Sequence, residues 1–82
     1  MERIEVLRRE IDGIDKGILE LLEERVKAAK KIGEIKREKG MEIEDVDREG
    51  EILDNILNST NLNREFVGDL FRKIIEYCKN EE

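Results

Sequence analysis

The sequence of 82 residues contains no histidine, no proline and no tryptophan, and its only cysteine is Cys78. A single cysteine excludes an internal disulfide bond, and without histidines one thiol is a poor basis for a transition-metal site. The first residues, Met1 to Glu5, lack the apolar stretch of a secretion signal, and no apolar run approaches membrane-spanning length. We therefore expect a cytoplasmic protein without a bound metal.

Basic residues are also outnumbered by acidic ones. The sequence has 16 Lys and Arg residues and 22 Asp and Glu residues, which gives a net charge of −6. This excess disfavours nucleic acids and anionic membrane surfaces as partners. It does not disfavour a small anionic ligand, since nearby cations act on a ligand more strongly than the total charge. Helix-forming residues dominate the composition. We therefore expect a single all-α domain over residues 1–82.

Apolar residues recur in steps of three and four from Ile4 onward, which is the spacing of one helix face. This stripe predicts a first helix over residues 2–39 that ends at Gly40. The stripe passes through Gly13 and Gly17 without a shift, although a break between them is the alternative.

Two shorter helices follow in the sequence. Asp45 is placed to cap a second helix of about 13 residues, and Asn63 is placed to cap a third. The residues predicted to face inward are Val46, Ile52, Leu53, Ile56 and Leu57 on the second helix, and Val67, Leu70, Phe71, Ile74, Ile75 and Cys78 on the third.

The first helix is too long to be covered by its own chain. It would extend about 57 Å, whereas the other two helices total only about 33 residues. Part of its apolar stripe would remain exposed in a monomer. The sequence therefore predicts an obligate homodimer in which the first helices of the two chains pair.

One step of the apolar stripe holds a charged residue, Arg25. A guanidinium there is costly unless an anion meets it, so we expect Arg25 to bind an anion; setting the register of the dimer seam or reaching out to solvent are the alternatives. Lys36 lies about 20° around the helix from Arg25 and about 16 Å along it, on the same face. Arg8 lies about 25 Å from Arg25, so it could reach the same site only from a partner chain.

Two further groups of polar residues can join this site. Asp45, Arg48 and Glu49 lie at the start of the second helix, where free backbone N–H groups favour anions. Cys78 and Glu82 are four residues apart on the apolar face of the third helix. Each residue also has a simpler interpretation, as a helix cap, a surface charge, a core residue or a disordered last residue. Together they favour an anion-binding pocket.

The chain resembles the all-helical, type II class of chorismate mutases over essentially its whole length. The residues that carry the resemblance are Leu7-Arg8-Arg9-Glu10-Ile11-Asp12, Asp15, Ile18, Leu21-Leu22, Arg25, Lys36, Asp45-x-Asp47-Arg48-Glu49 and Leu70-Phe71-x-x-Ile74-Ile75-Glu76. The block from Leu7 to Arg25 and the Asp-x-Asp-Arg-Glu element are together specific for this family, whereas either alone is a weak signal.

The resemblance implies an intertwined homodimer of three-helix chains with two equivalent sites. Arg25 and the partner's Arg8 would bind the two carboxylates of chorismate. Lys36 would hold one carboxylate and donate a hydrogen bond to the ether oxygen of the breaking bond. These cationic side chains suit a dianionic substrate, because arginine binds carboxylates through two parallel hydrogen bonds.

The resemblance also implies roles for the remaining site residues. Asp45 and Glu49 would bind the hydroxyl side of the substrate, and Arg48 would contact a carboxylate or order the site. Cys78 stands where the family commonly has serine, and it offers a weaker hydrogen-bond donor. Glu82 stands where the family has glutamine or, in some members, glutamate, and it can donate a hydrogen bond only when protonated.

The implied activity is an isomerase reaction of phenylalanine and tyrosine biosynthesis, the rearrangement of chorismate to prephenate. This unimolecular reaction needs no nucleophile, metal or cofactor, which suits a chain without histidine. The alternatives are an isochorismate–pyruvate lyase, which acts on a similar dianion, and a non-catalytic helical dimerisation module.

Overall fold

The computed structural model describes residues 2–82, which form three α-helices: α1 (Glu2–Lys39), α2 (Val46–Asn58) and α3 (Arg64–Glu81). The predicted all-α class and the bounds of the first helix are confirmed. Because α1 is continuous, the alternative of a break between residues 13 and 17 is wrong. None of the helices in residues 2–82 is long and apolar enough to cross a membrane.

Capping residues define the helix ends, as the sequence predicts. Gly40 has a φ of 66°, in the left-handed region that ends helices and that glycine adopts without steric cost. The Asp45 side chain accepts a hydrogen bond from the backbone N–H of Arg48 at 3.0 Å. The Asn63 side chain accepts one from the backbone N–H of Phe66 at 2.8 Å. Both caps satisfy N–H groups that have no partner within the first helical turn.

Helix α3 lies between the other two helices and packs on both, whereas no Cα atom of α1 comes within 8 Å of one in α2. The chain is elongated, with dimensions of 58 × 24 × 16 Å. Its small core collects around α3, and the buried residues are Ala29, Gly33, Val67, Gly68, Ile75 and Cys78. This core covers only one side of the second half of α1.

Two residues predicted to face inward, in a chain predicted to dimerise, are exposed in the single chain. Val46, in the first turn of α2, is 70% exposed. Leu70 is 42% exposed, because it lines an open groove between α1 and α3. This α1–α3 groove has a volume of about 550 Å³, and its apolar wall consists of Leu19, Leu22, Val26, Leu70, Ile74 and Tyr77.

Every residue from Glu2 to Lys16, in the first half of α1, is exposed. Its apolar side chains remain 48–56% exposed, and they form a continuous row that we call the uncovered stripe: Ile4, Leu7, Ile11, Ile14 and Ile18. A row of this length is rarely left open to water in a stable protein.

Candidate functional site

A cavity of about 400 Å³ opens where the second half of α1 meets the start of α2 and the end of α3. This volume suits a small organic molecule. Seven of the eight predicted site residues line the cavity: Arg25, Lys36, Asp45, Arg48, Glu49, Cys78 and Glu82. The apolar part of the wall comes mainly from Ile32, Ile43, Ile52 and Ile75.

Helix α1 supplies two cations to this cavity. Arg25 is half-buried, and no carboxylate within residues 2–82 forms an ion pair with it. The Lys36 side chain is 15% exposed, and its Nζ donates a hydrogen bond to the Ile43 carbonyl oxygen at 2.7 Å. Arg25 therefore keeps its donors available to a ligand, while Lys36 is fixed in the cavity wall.

Glu82 reaches the cavity because α1 carries no side chain at Gly33. A Cβ atom at Gly33 would lie 2.5 Å from the Glu82 carbonyl oxygen and 2.8 Å from its Cα atom. The Arg37 guanidinium donates to the same carbonyl oxygen. The Glu82 Oε1 atom lies 3.2 Å from Lys36 Nζ, yet no well-aligned donor reaches this buried oxygen in the described part of the chain. The carboxylate is thus held by charge, and Oε1 retains free hydrogen-bonding capacity.

The start of α2 brings three charged residues to the opposite wall. Asp45 acts as the helix cap and also lines the cavity, so its simpler interpretation and its predicted site role are compatible. Arg48 forms an exposed ion pair with Glu51 at 3.3 Å. The Glu49 side chain is 30% exposed and lines the cavity beside Arg48.

Cys78 is 4% exposed and carries a free thiol, so its interpretation as a core residue is correct. It also borders both the cavity and the α1–α3 groove. A small residue is therefore needed at the point where the two recesses approach each other.

Arg8 is the one predicted site residue that lies away from the cavity. Its Nη1 atom pairs with Glu5 Oε1 at 2.9 Å on the exposed first half of α1. Within an unbroken helix, 17 residues separate it from Arg25 by about 25 Å. The single chain therefore cannot bring these two arginines together.

The sequence analysis did not identify Lys79, which lines the cavity. Its Nζ atom lies 3.1 Å from Glu76, 3.4 Å from Glu44 and 3.7 Å from Glu49. Hydrogen bonding to Glu76, followed by the attraction of Glu49 and Glu44, raises the pKa of Lys79 above its ordinary value of 10.5, although desolvation opposes the shift. Lys79 is therefore a firmly charged member of the cavity wall.

Helical spacing is the signal that could have identified Lys79. Relative to Ile75, the residues Cys78, Lys79 and Glu82 follow at three, four and seven positions, which places all four on one face of α3. The lysine is adjacent in sequence to a predicted site residue and shares its helix face. Two of its three carboxylate partners, Glu44 and Glu49, could not be inferred from this spacing, because they belong to other segments.

The charges around the cavity favour an anionic ligand. The wall carries four cations, from Arg25, Lys36, Arg48 and Lys79, and three carboxylates, from Asp45, Glu49 and Glu82. This excess of positive charge occurs in a chain whose net charge is −6. The fold and the cavity define a class of protein, a small all-helical domain with a pocket in which cations outnumber carboxylates.

Comparisons with known proteins place the chain within this class. Residues 7–82 match the family model described as chorismate mutase type II. The chain is 35% identical to a chorismate mutase from Methanocaldococcus jannaschii over 96% of its own length and 83% of that protein. It belongs to the chorismate mutase type II family, so the resemblance found in the sequence is confirmed.

Longer relatives and a solved structure agree with this assignment. A bifunctional chorismate mutase/prephenate dehydratase from Aquifex aeolicus is 44% identical over the whole chain, which spans about a quarter (24%) of that relative. A conserved hypothetical protein from Pyrococcus furiosus has a solved structure that is 36% identical to the chain. The two folds superpose with a TM-score of 0.83 and cover 99% and 96% of the respective chains.

Proposed function

We propose that this chain is a chorismate mutase, an isomerase that converts chorismate to prephenate in aromatic amino acid biosynthesis. The observation that carries the proposal is that Arg25 and Lys36 line one cavity, with Arg25 free of any carboxylate in residues 2–82. Family membership supports it, as does the similar length of the relative named chorismate mutase. The domain span of 1–82 and the cytoplasmic location stay predictions from the sequence.

In this proposal the substrate is a dianion whose two carboxylates are bound by different arginines. Arg25 binds one, and the partner's Arg8 binds the other with help from Arg48. Lys36 contacts a carboxylate and the ether oxygen. The hydroxyl side of the substrate faces Asp45 and Glu49, whose carboxylates accept hydrogen bonds from hydroxyl groups.

The reaction breaks one C–O bond and forms one C–C bond within a single molecule, so no proton has to be transferred. The protein accelerates it by holding the flexible substrate in its reactive, chair-like conformation. It also stabilises the negative charge that grows on the ether oxygen, for which Lys36 supplies an ammonium. Glu82, when protonated, supplies a second donor from the opposite helix, and the Cys78 thiol supplies a weak one.

Two observations support a homodimer as the active form. The uncovered stripe leaves a row of apolar side chains without a partner in the single chain. Arg8, the second arginine of the proposed site, lies about 25 Å from Arg25 on one unbroken helix, so only another chain could bring it to the cavity.

The direct test follows the loss of ultraviolet absorbance when the purified chain is mixed with chorismate, for the parent and for Arg25→Ala. We expect turnover by the parent and a loss on the order of 10²- to 10³-fold in kcat/KM for the variant, because a charged hydrogen-bonded pair is removed. Helix content by circular dichroism serves as the folding control. A parent that acts on isochorismate but not on chorismate would replace the proposal with the lyase. Inactivity on both substrates would favour a dimerisation module.

Mixing two inactive variants tests whether Arg8 acts across the interface. Arg8→Ala and Arg25→Ala chains that exchange partners form mixed dimers, in which one site has both arginines and the other has neither. Random exchange should therefore restore about a quarter of the parent activity. If both arginines of a site came from one chain, mixing would restore nothing.

A further inference from the structure

The carboxylate of Glu49 pairs with a cation from another helix. Within residues 2–82 its ion pair is with Lys79, at 3.7 Å. It does not pair with Arg48, its neighbour in sequence, or with Arg25 or Lys36, which line the same cavity. Lys79 is 21% exposed, and it lies on α3, opposite the first turn of α2. Arg25, which lines the same cavity, has no carboxylate partner within residues 2–82.

In an anion-binding cavity whose wall contains carboxylates, these carboxylates compete with the ligand for the cations of the wall. Each carboxylate in the wall can pair with a cation that the ligand needs, and such a pair weakens binding of the ligand. Glu82 pairs in this way with Lys36, at 3.2 Å, whereas Glu49, which lines the same cavity, pairs with Lys79. A separate cation that holds Glu49 removes this competition.

Lys79 also holds the segment between α1 and α2. Its Nζ atom lies 3.4 Å from Glu44 in that segment, and within residues 2–82 it makes all ion pairs between α3 and either the segment or α2. From the other side, Lys36 donates to the carbonyl oxygen of Ile43. Residues 43–49 are thus held between lysines from two different helices.

We propose that Lys79 is a positioning residue of this site, which holds Glu49 and the segment before α2 against α3 and so keeps Arg25 free for the anionic substrate. The proposal rests on the proposed mutase function. Lys79 acts through Glu49 and Glu44 and is surrounded by three carboxylates, so it adds little attraction for the substrate itself.

The test compares steady-state kinetics of Lys79→Met with those of Lys31→Met, a charge-matched control at an exposed lysine outside the cavity wall. We expect KM for chorismate to rise about fivefold in Lys79→Met with kcat within about twofold of the parent, since an exposed ion pair is worth little but its loss releases Glu49. Lys79→Arg should restore KM, because it retains the charge. Lys31→Met should match the parent.

A second comparison isolates the mechanism from a general loss of structure. If released Glu49 competes for Arg25, adding Lys79→Met to Glu49→Gln should change KM less than adding it to the parent. Additive effects would overturn the proposal, as would a Lys79→Met variant that behaves like Lys31→Met in an active parent. A parent that does not turn over chorismate would instead overturn the proposed function, and this inference with it.

Discussion

Replacing Gly33 with alanine sets two physical effects against each other. Alanine in a helix interior is favoured over glycine by up to about 1 kcal/mol. At Gly33, however, the added Cβ atom would lie 2.5 Å from the Glu82 carbonyl oxygen and 2.9 Å from the Glu82 Cβ atom. The backbone at Glu82 must retreat by about 0.9 Å before the closest approach reaches an ordinary contact of 3.4 Å.

This displacement acts directly on the candidate site. The Glu82 carboxylate lies 3.2 Å from Lys36 Nζ, and a backbone shift of nearly 1 Å moves this side chain out of its place in the cavity wall. A misplacement of this size can cost up to about 10²-fold in rate. We therefore expect kcat/KM to fall about 10- to 100-fold in Gly33→Ala, while the free energy of unfolding stays within about 1 kcal/mol of the parent.

Gly50→Ala is the matched control, because Gly50 is exposed in α2 and a Cβ atom there meets nothing within 4 Å. It should raise the free energy of unfolding by about 0.5–1 kcal/mol and leave turnover unchanged. Activity is measured by chorismate consumption, and stability by urea denaturation followed by circular dichroism. Full parent activity in Gly33→Ala would refute the argument that the close approach at this glycine positions Glu82.

Two predictions remain. A carboxylate only accepts hydrogen bonds, whereas an amide N–H can donate one to the ether oxygen, so Glu82→Gln should raise kcat/KM; an unchanged kcat/KM would contradict the assigned role. The raised pKa of Lys79 means that the folded chain keeps this proton to higher pH than the unfolded chain. Its stabilising contribution is therefore complete below the ordinary value of 10.5 and is lost as pH rises through the raised value. Urea denaturation at about pH 9 to 12 should show a shallower decline of stability for Lys79→Met than for the parent.

Features that depend on neighbouring residues in the chain were predictable. Gly40, Asp45 and Asn63 end or begin helices through their own backbone and side-chain chemistry, so the helix bounds could be read from the sequence. The helical repeat placed Arg25 and Lys36 on one face, and the structure lines one cavity with both.

Features that depend on which segments meet in space were not predictable. The carboxylates around Lys79 come from the segment before α2 and from two helices, and only the packing of α3 collects them. In the sequence, Gly33 only lowers the helix propensity of α1. The reason for a glycine at this position is the close approach of the Glu82 backbone, which only the structure shows. Val46 was assigned inward because its spacing fits the apolar face, although its side chain is 70% exposed in the single chain.

The length of α1 constrains how the proposed dimer can form. Arg8 and Arg25 stand about 25 Å apart on one unbroken helix. Suppose that Arg8 of each chain lies beside Arg25 of the other chain. A two-fold axis must then pass midway between the two positions, beside Lys16 and Gly17, and the two α1 helices must run antiparallel.

This register can be checked against the apolar surface of the single chain. In an antiparallel pairing about that midpoint, each residue lies opposite the partner residue at the mirrored position. Leu7, Ile11 and Ile14 of the uncovered stripe then come opposite positions 26, 22 and 19 of the second chain. Those positions are the α1 residues that form the apolar wall of the α1–α3 groove: Val26, Leu22 and Leu19. The pairing that would deliver an arginine to each cavity would therefore also bring these three residues of the uncovered stripe against the apolar α1 residues of the groove.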